Sequence, residues 1–120
     1  MTTERVRMYL GDILTAIERI RRYATGMTRE RFDGDEKTQD PVFRRIEVIG
    51  EAVRKLPLEL RNQYSEVPWR DIAGMRDVLI HDYRFVNLNE TWRVIHDDLP
   101  KLEAQVEQIL SGPGFKLPRG

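Results

Sequence analysis

Thr2-Thr3-Glu4-Arg5-Val6-Arg7-Met8-Tyr9-Leu10-Gly11-Asp12-Ile13-Leu14-Thr15-Ala16-Ile17-Glu18-Arg19-Ile20-Arg21-Arg22-Tyr23-Ala24-Thr25-Gly26 stands at the head of the chain. Val6, Leu10, Ile13, Ile17, Ile20 and Ala24 recur there at alternating steps of four and three. That spacing follows the turn of an α-helix and gathers the apolar side chains on one face. Arg5, Arg7, Asp12, Glu18, Arg19, Arg21 and Arg22 mostly occupy the other face. Thr2 or Thr3 supplies an N-cap oxygen, and Gly26 a C′ stop.

The same period returns twice. Val42, Ile46, Ile49, Val53 and Leu56 form the second stripe, and Leu88, Trp92, Ile95, Leu99, Leu102, Val106 and Ile109 the third. The second helix starts either with Asp40 as N-cap and Pro41 at N1, or near Asp35 with Pro41 inside it. Gly50 costs stability there relative to alanine, and most simply lets another helix come close. In the third stripe, Asn87 or Asn89 is the cap, with Glu90 resembling a capping-box partner. Pro100 predicts a bend near His96 to Leu99 rather than a break. His96 reads as a structural or solvated residue.

Thr28 caps a short turn around Phe32, and Leu58 to Tyr64 makes another short turn or helix. A shorter fourth stripe, Trp69, Ile72, Met75 and Leu79, follows Pro68, with Trp69 as a core anchor. Gly74 serves close packing or a weakened turn just before Arg76. There is no strand alternation, internal repeat or glycine-rich phosphate loop. The fold class is therefore all-α: an antiparallel up-and-down bundle of four to five helices over residues 1–110. Residues 111–120, with three glycines, two prolines and no periodicity, read as a flexible tail.

At 120 residues the chain suits one domain with one core. It has no apolar run near the length of a membrane span and no signal-peptide layout, so a cytoplasmic protein without membrane association is expected. The absence of cysteine excludes disulfides and thiolate metal sites. Lys+Arg and Asp+Glu balance at 20 each, which argues against a long nucleic-acid groove but not against a local phosphate site. Arginine outnumbers lysine 16 to 4; recognition of phosphate or carboxylate would account for this, and biased codon usage is the simpler cause.

Chemistry concentrates between Trp69 and Tyr83. Arg76, His81 and Tyr83 form the pattern Arg-x4-His-x-Tyr. Arginine offers a fork of donors to phosphate, histidine titrates near neutrality, and tyrosine carries a hydroxyl. On one straight helix Arg76 and Tyr83 share a face, whereas His81 lies about 140° from Arg76. Either the helix loosens near His81 or a second copy of the chain completes the site. Asp77, four residues before His81, is placed to support its imidazolium on a helix. Glu51, beside Gly50, is a surface charge or a site carboxylate. The plainer alternatives are a histidine interacting with a helix dipole and an ion-paired surface arginine.

Three segments carry a family resemblance: Asp35 to Asp40, Arg44 to Ala52, and Pro68 to Tyr83. Over residues 3 to 110 the sequence resembles the HepT-like proteins of the HEPN superfamily, the ribonuclease toxins of HepT/MntA modules. Pro41, and Arg84 between Tyr83 and Phe85, depart from the family pattern. The resemblance implies a HEPN-like homodimer and the toxin of a type VII-like toxin–antitoxin system. It implies a metal-independent endoribonuclease, without cofactor, that cleaves RNA by attack of the 2′-OH. Arg76 would stabilise the phosphorane and His81 would move the proton. A cognate MntA-like nucleotidyltransferase antitoxin would silence the toxin by AMPylation of Tyr83. The second reading is a non-catalytic helical subunit that binds nucleotide beside a minimal nucleotidyltransferase.

Overall fold

The first helix, α1 (Thr3–Ala24), follows its apolar stripe without interruption. Val6, Leu10, Ile13, Ile17 and Ile20 are at most 2% exposed. Thr2 is its cap, accepting the Arg5 N–H at 3.1 Å. Gly26, at φ 73°, turns the chain out of the helix in the left-handed region that favours glycine. This computed structural model describes residues 1–82 and 85–112, and of His81 and Asp82 only the backbone.

A short helix, α2 (Arg29–Asp33), is capped by Thr28 and buries Phe32 completely. The next, α3 (Glu36–Lys55), starts at the earlier of its two expected points. Asp35 caps it, accepting the Thr38 N–H at 3.3 Å, and Pro41 stands inside. Pro41 gives no N–H to the second turn. Buried Gln39 reinforces that end by donating from Nε2 to the carbonyls of Phe32 at 2.7 Å and Asp33 at 3.1 Å. Helix α4 (Leu58–Gln63) seats Leu60 in the core.

Two five-residue helices follow, α5 (Trp69–Ala73) and α6 (Met75–Leu79). Strand β1 (Ile80–Asp82) then pairs antiparallel with β2 (Phe85–Val86), Ile80 opposite Val86. Helix α7 (Leu88–Arg93) is capped by Asn87, which accepts the Glu90 N–H at 3.0 Å. The reciprocal half of a capping box does not form: the Asn87 N–H donates to the Leu79 carbonyl and Glu90 binds Arg93.

The chain stays helical past Pro100 through a π turn, Val94–Asp98, before α8 (Leu99–Ser111). The Leu99 N–H bonds the Val94 carbonyl, five residues back. The expected disturbance at His96 to Leu99 thus takes the form of a widened turn. Such a turn brings residues five apart to one side, and Arg93 grips both oxygens of Asp98 at 2.8 Å. His96 is exposed with its ring 4.1 Å from that of Trp92.

Helices α3 and α8 each run antiparallel to α1. Lys55 at the end of α3 lies over the ring of Tyr9 near the start of α1, and Arg7 reaches the carbonyl of Leu110 at the end of α8. Their inner faces form one core with Val42, Ile46, Ile49, Leu102 and Val106, each worth about 1.5–3 kcal/mol of transfer free energy. The all-α bundle is as expected; the short β1–β2 ribbon is an addition. Residues 113–120, most of the expected tail, lie outside the described residues. Among those described, no helix is long and apolar enough to cross a membrane.

Candidate functional site

The motif segment is where the chain departs from simple periodicity. A motif helix starting at Pro68 was the expectation, with a weakened turn at Gly74 and a loosening near His81 left open; the structure ends α5 at Ala73 and α6 at Leu79. Trp69 does anchor the segment, 5% exposed and donating its indole N–H to the Tyr64 carbonyl at 3.0 Å. Neither break is arbitrary.

The first break sits at Gly74 (φ −96°, ψ 2°). In a continuous helix the Ala73 carbonyl would accept the Asp77 N–H. Here that N–H bonds the Gly74 carbonyl at 3.1 Å. Arg54 of α3 takes the Ala73 carbonyl instead, with Nη2 at 2.6 Å. Gly50 makes this crossing possible, since a Cβ there would lie 2.9 Å from the same oxygen. Gly74 makes no such close approach, its own virtual Cβ finding nothing nearer than the Arg70 carbonyl at 3.7 Å. Of the two glycines, Gly50 serves helix contact and Gly74 the weakened turn before Arg76.

The second break follows Leu79. A continued helix would give the Leu79 carbonyl to the amide of residue 83. The Asn87 N–H claims it at 2.8 Å. Ile80 turns extended (φ −115°, ψ 93°), in keeping with the run of β-formers Val78, Ile80, Phe85 and Val86. His81 is therefore in β1, on extended backbone, and the helix does loosen near it. The helical step from Asp77 to His81 is lost with it. Asp77 instead accepts from Arg76 Nη1 at 3.3 Å. The side chain of His81, and Tyr83 and Arg84 altogether, lie outside the described residues.

Arg76 is half-exposed at the rim of a cavity of about 310 Å³. Glu47, Glu51, Arg54 and Asp77 line it around the Gly50–Ala73 contact. Glu47 divides its carboxylate: Oε1 accepts from Arg44 Nη1 at 3.0 Å, and Oε2 lies 3.8 Å from Arg76 Nε. These pairs are open to solvent, so each is worth well under about 1 kcal/mol and yields easily to a stronger anion. Sequence reading did not single out Glu47 or Arg54. The signal was there: Glu47, Gly50, Glu51 and Arg54 share one face of α3, a polar stripe flanking a buried glycine. His96 lines a different cavity of about 210 Å³, between the end of α1 and the π turn, with no lining residue in common.

The helical bundle, with a charged cavity at a helix break, is that of an all-α, HEPN-like protein. A family model described as Ribonuclease HepT-like matches residues 13–109, and the chain belongs to that family. It is 44% identical over 105 residues to a Methanocaldococcus jannaschii protein named as a gamma-glutamylcyclotransferase and, provisionally, an RNase. That match covers 88% of this chain and 47% of the relative, so the chain spans about half of that protein's length. A protein of Caldanaerobacter subterraneus subsp. tengcongensis with a provisional RNase name is 44% identical over 87% of this chain and 93% of its own. The "Probable ribonuclease HepT" of Thermococcus cleftensis is 40% identical over 84% of this chain and 92% of its own. No solved structure matches.

Proposed function

We propose that this chain is a metal-independent endoribonuclease of toxin type, with Arg76 and His81 as its catalytic pair. The observation that carries the reading is the position of Arg76: on the helix just ahead of extended His81, facing a cavity, in a chain of the HepT-like ribonuclease family. The 2′-oxygen of RNA attacks the adjacent phosphorus as the bond to the 5′-oxygen breaks. The 2′ proton leaves and the 5′-oxygen gains one. The products are a 2′,3′-cyclic phosphate and a 5′-OH.

Arg76 neutralises charge that develops on the phosphorane oxygens, an interaction stronger in the transition state than before it. His81 transfers a proton. A homodimer completes the cleft. Val78 and Phe85, 66% and 68% exposed beside the motif, support that reading as apolar surface available to a second copy. Tyr83 is the proposed AMPylation site of a cognate MntA-like nucleotidyltransferase antitoxin. Its hydroxyl would take AMP from ATP with loss of pyrophosphate, bringing negative charge to the place the RNA phosphate needs.

The test is incubation of the full chain with total RNA in excess EDTA, beside an Arg76→Ala/His81→Ala double variant, with intact mass confirming unmodified Tyr83. Cleavage by the wild type alone, leaving cyclic phosphate ends, is the expected result. If unmodified wild type and variant are equally inert, the non-catalytic nucleotide-binding reading takes its place.

A further inference from the structure

Arg54 stands out among the arginines of the cavity. The cavity's other arginine, Arg76, lies within reach of Glu47 and Asp77, whereas among the described residues no carboxylate comes within ion-pair distance of Arg54. Its one hydrogen bond goes to a neutral acceptor, the Ala73 carbonyl, at 2.6 Å. That bond uses a single N–H of Nη2 and fixes the guanidinium at the cavity wall. The remaining donors of the fork are left for another acceptor.

The anchoring is built in several steps. Gly50 admits α5 so closely that the Ala73 carbonyl meets α3. The break at Gly74 releases that carbonyl from its helical partner. Arg54, one turn beyond Gly50, then receives it. The same crossing carries Arg76 to the other part of the cavity's lining. A pre-positioned guanidinium without an ion-pair partner among the described residues, beside a second arginine held only by solvent-open pairs, suits an anion with more than one charged centre.

We infer that Arg54 binds the phosphate next to the scissile one, so that the cavity between Arg54 and Arg76 is a subsite for the intervening nucleotide of single-stranded RNA. The inference rests on the ribonuclease reading above. Arg54 contributes binding rather than chemistry: it holds the backbone in register while Arg76 faces the reacting phosphorus. Glu51, one turn before Arg54 on the same face, opposes the phosphate electrostatically and limits affinity.

The experiment uses unmodified full-length protein and two probes. One is a fluorescein-labelled 2′-O-methyl RNA oligonucleotide, which lacks the attacking hydroxyl, for affinity between low and moderate salt. The other is the matching unmodified RNA for kcat and KM. Arg54→Gln keeps a donor for the Ala73 carbonyl and removes the charge. It should weaken affinity and raise KM about tenfold, the scale of one charge-assisted contact. The slope of log affinity against log salt should fall by about 0.7, one phosphate contact on a single strand. The kcat at saturation should hold, and Arg54→Lys should restore the slope. Glu51→Gln, which leaves the anchor intact and keeps the test open if Arg54→Gln does not fold, should tighten binding about threefold. An active wild type with salt slope and KM unchanged in Arg54→Gln, or affinity unmoved in Glu51→Gln, overturns the Arg54 assignment alone. A wild type that neither binds nor cleaves RNA overturns the ribonuclease reading and this inference with it.

Discussion

Helix α1 and the segment from Trp69 to Asp82 carry the same kind of apolar stripe, yet they fold differently. The first is one helix of 22 residues. The second divides into two helices of five residues and a strand of three. The stripes decide which faces are buried in both, since Trp69, Ile72 and Leu79 lie in the core as surely as Leu10 and Ile17. Continuity has a different cause. In α1, among the described residues, the side chain that takes a helical carbonyl is local: Thr25 Oγ1 donates to the Arg21 carbonyl in the last turn. In the motif segment Arg54 takes one and Asn87 another, each from an element distant in sequence. The proposed site lies where helical hydrogen bonding is contested.

That contrast predicts effects of different kinds in the two regions. Arg76→Ala should lower cleavage by about 10²- to 10³-fold, the usual cost of removing one transition-state donor. Melting should barely change, because Arg76 is half-exposed with only solvent-screened ion pairs. Single-turnover cleavage followed beside a circular-dichroism melt reads both. A variant that melts early and cleaves poorly would erase the distinction between site and scaffold. In α1 the signs reverse. Leu10→Ala, at a position with no exposure, should cost about 2–5 kcal/mol in denaturant titration, while kcat per folded molecule stays near wild type.

Gly50→Ala probes the join between the regions. The added carbon would meet the Ala73 oxygen at 2.9 Å, a backbone atom that cannot swing aside. Overpacking of about 1–3 kcal/mol should outweigh the gain in helix propensity of about 1 kcal/mol. Cleavage should fall with stability, because Arg54 and Arg76 are both placed by this crossing. Unchanged activity and melting would mean that the crossing carries no strain and the two regions are independent.

The smallest effect belongs to the brace beside the π turn. The hydrogen bond from Arg93 holds the Glu90 carboxyl below its ordinary range. A carboxyl with a lowered folded-state pKa stabilises the protein above its unfolded pKa, about 4.3 for glutamate, and loses that contribution as pH falls through the folded value. Glu90→Gln should therefore be slightly less stable than wild type at neutral pH, by a few tenths of a kcal/mol at most given its solvent exposure. The difference should close in melts taken below about pH 4. A gap that widens on acidification would contradict the sign.

Particular residues mark how far sequence reading reached. The steps of four and three placed Val6 to Ala24, Val42 to Leu56 and Leu88 to Ile109 on inward faces, as the structure has them, with Leu88 and Trp92 only partly buried. Thr2, Thr28, Asp35 and Asn87 cap as their chemistry suggests. Gly50 does admit a neighbouring helix. Arg76 was legible as a candidate from its motif. Arg54 and Glu47 were not, because nothing local tells a solvated charge from one that faces a cavity.

By itself, then, the order of residues determined the all-α class, the three long amphipathic elements, their caps and the short list of chemistry-bearing side chains. These follow from spacing and from hydrogen bonds spanning three or four residues. Tertiary structure decided among the alternatives the motif left open, breaking the helix at Gly74 and after Leu79 with His81 on extended backbone, and it alone brought Arg54 to the cavity of Arg76. The reason is competition for single carbonyls. A peptide oxygen at Ala73 or Leu79 has a helical partner four residues on, but Arg54 lies 19 residues away and Asn87 reaches back across the β1–β2 ribbon. Which partner wins depends on how closely the packed core brings them together.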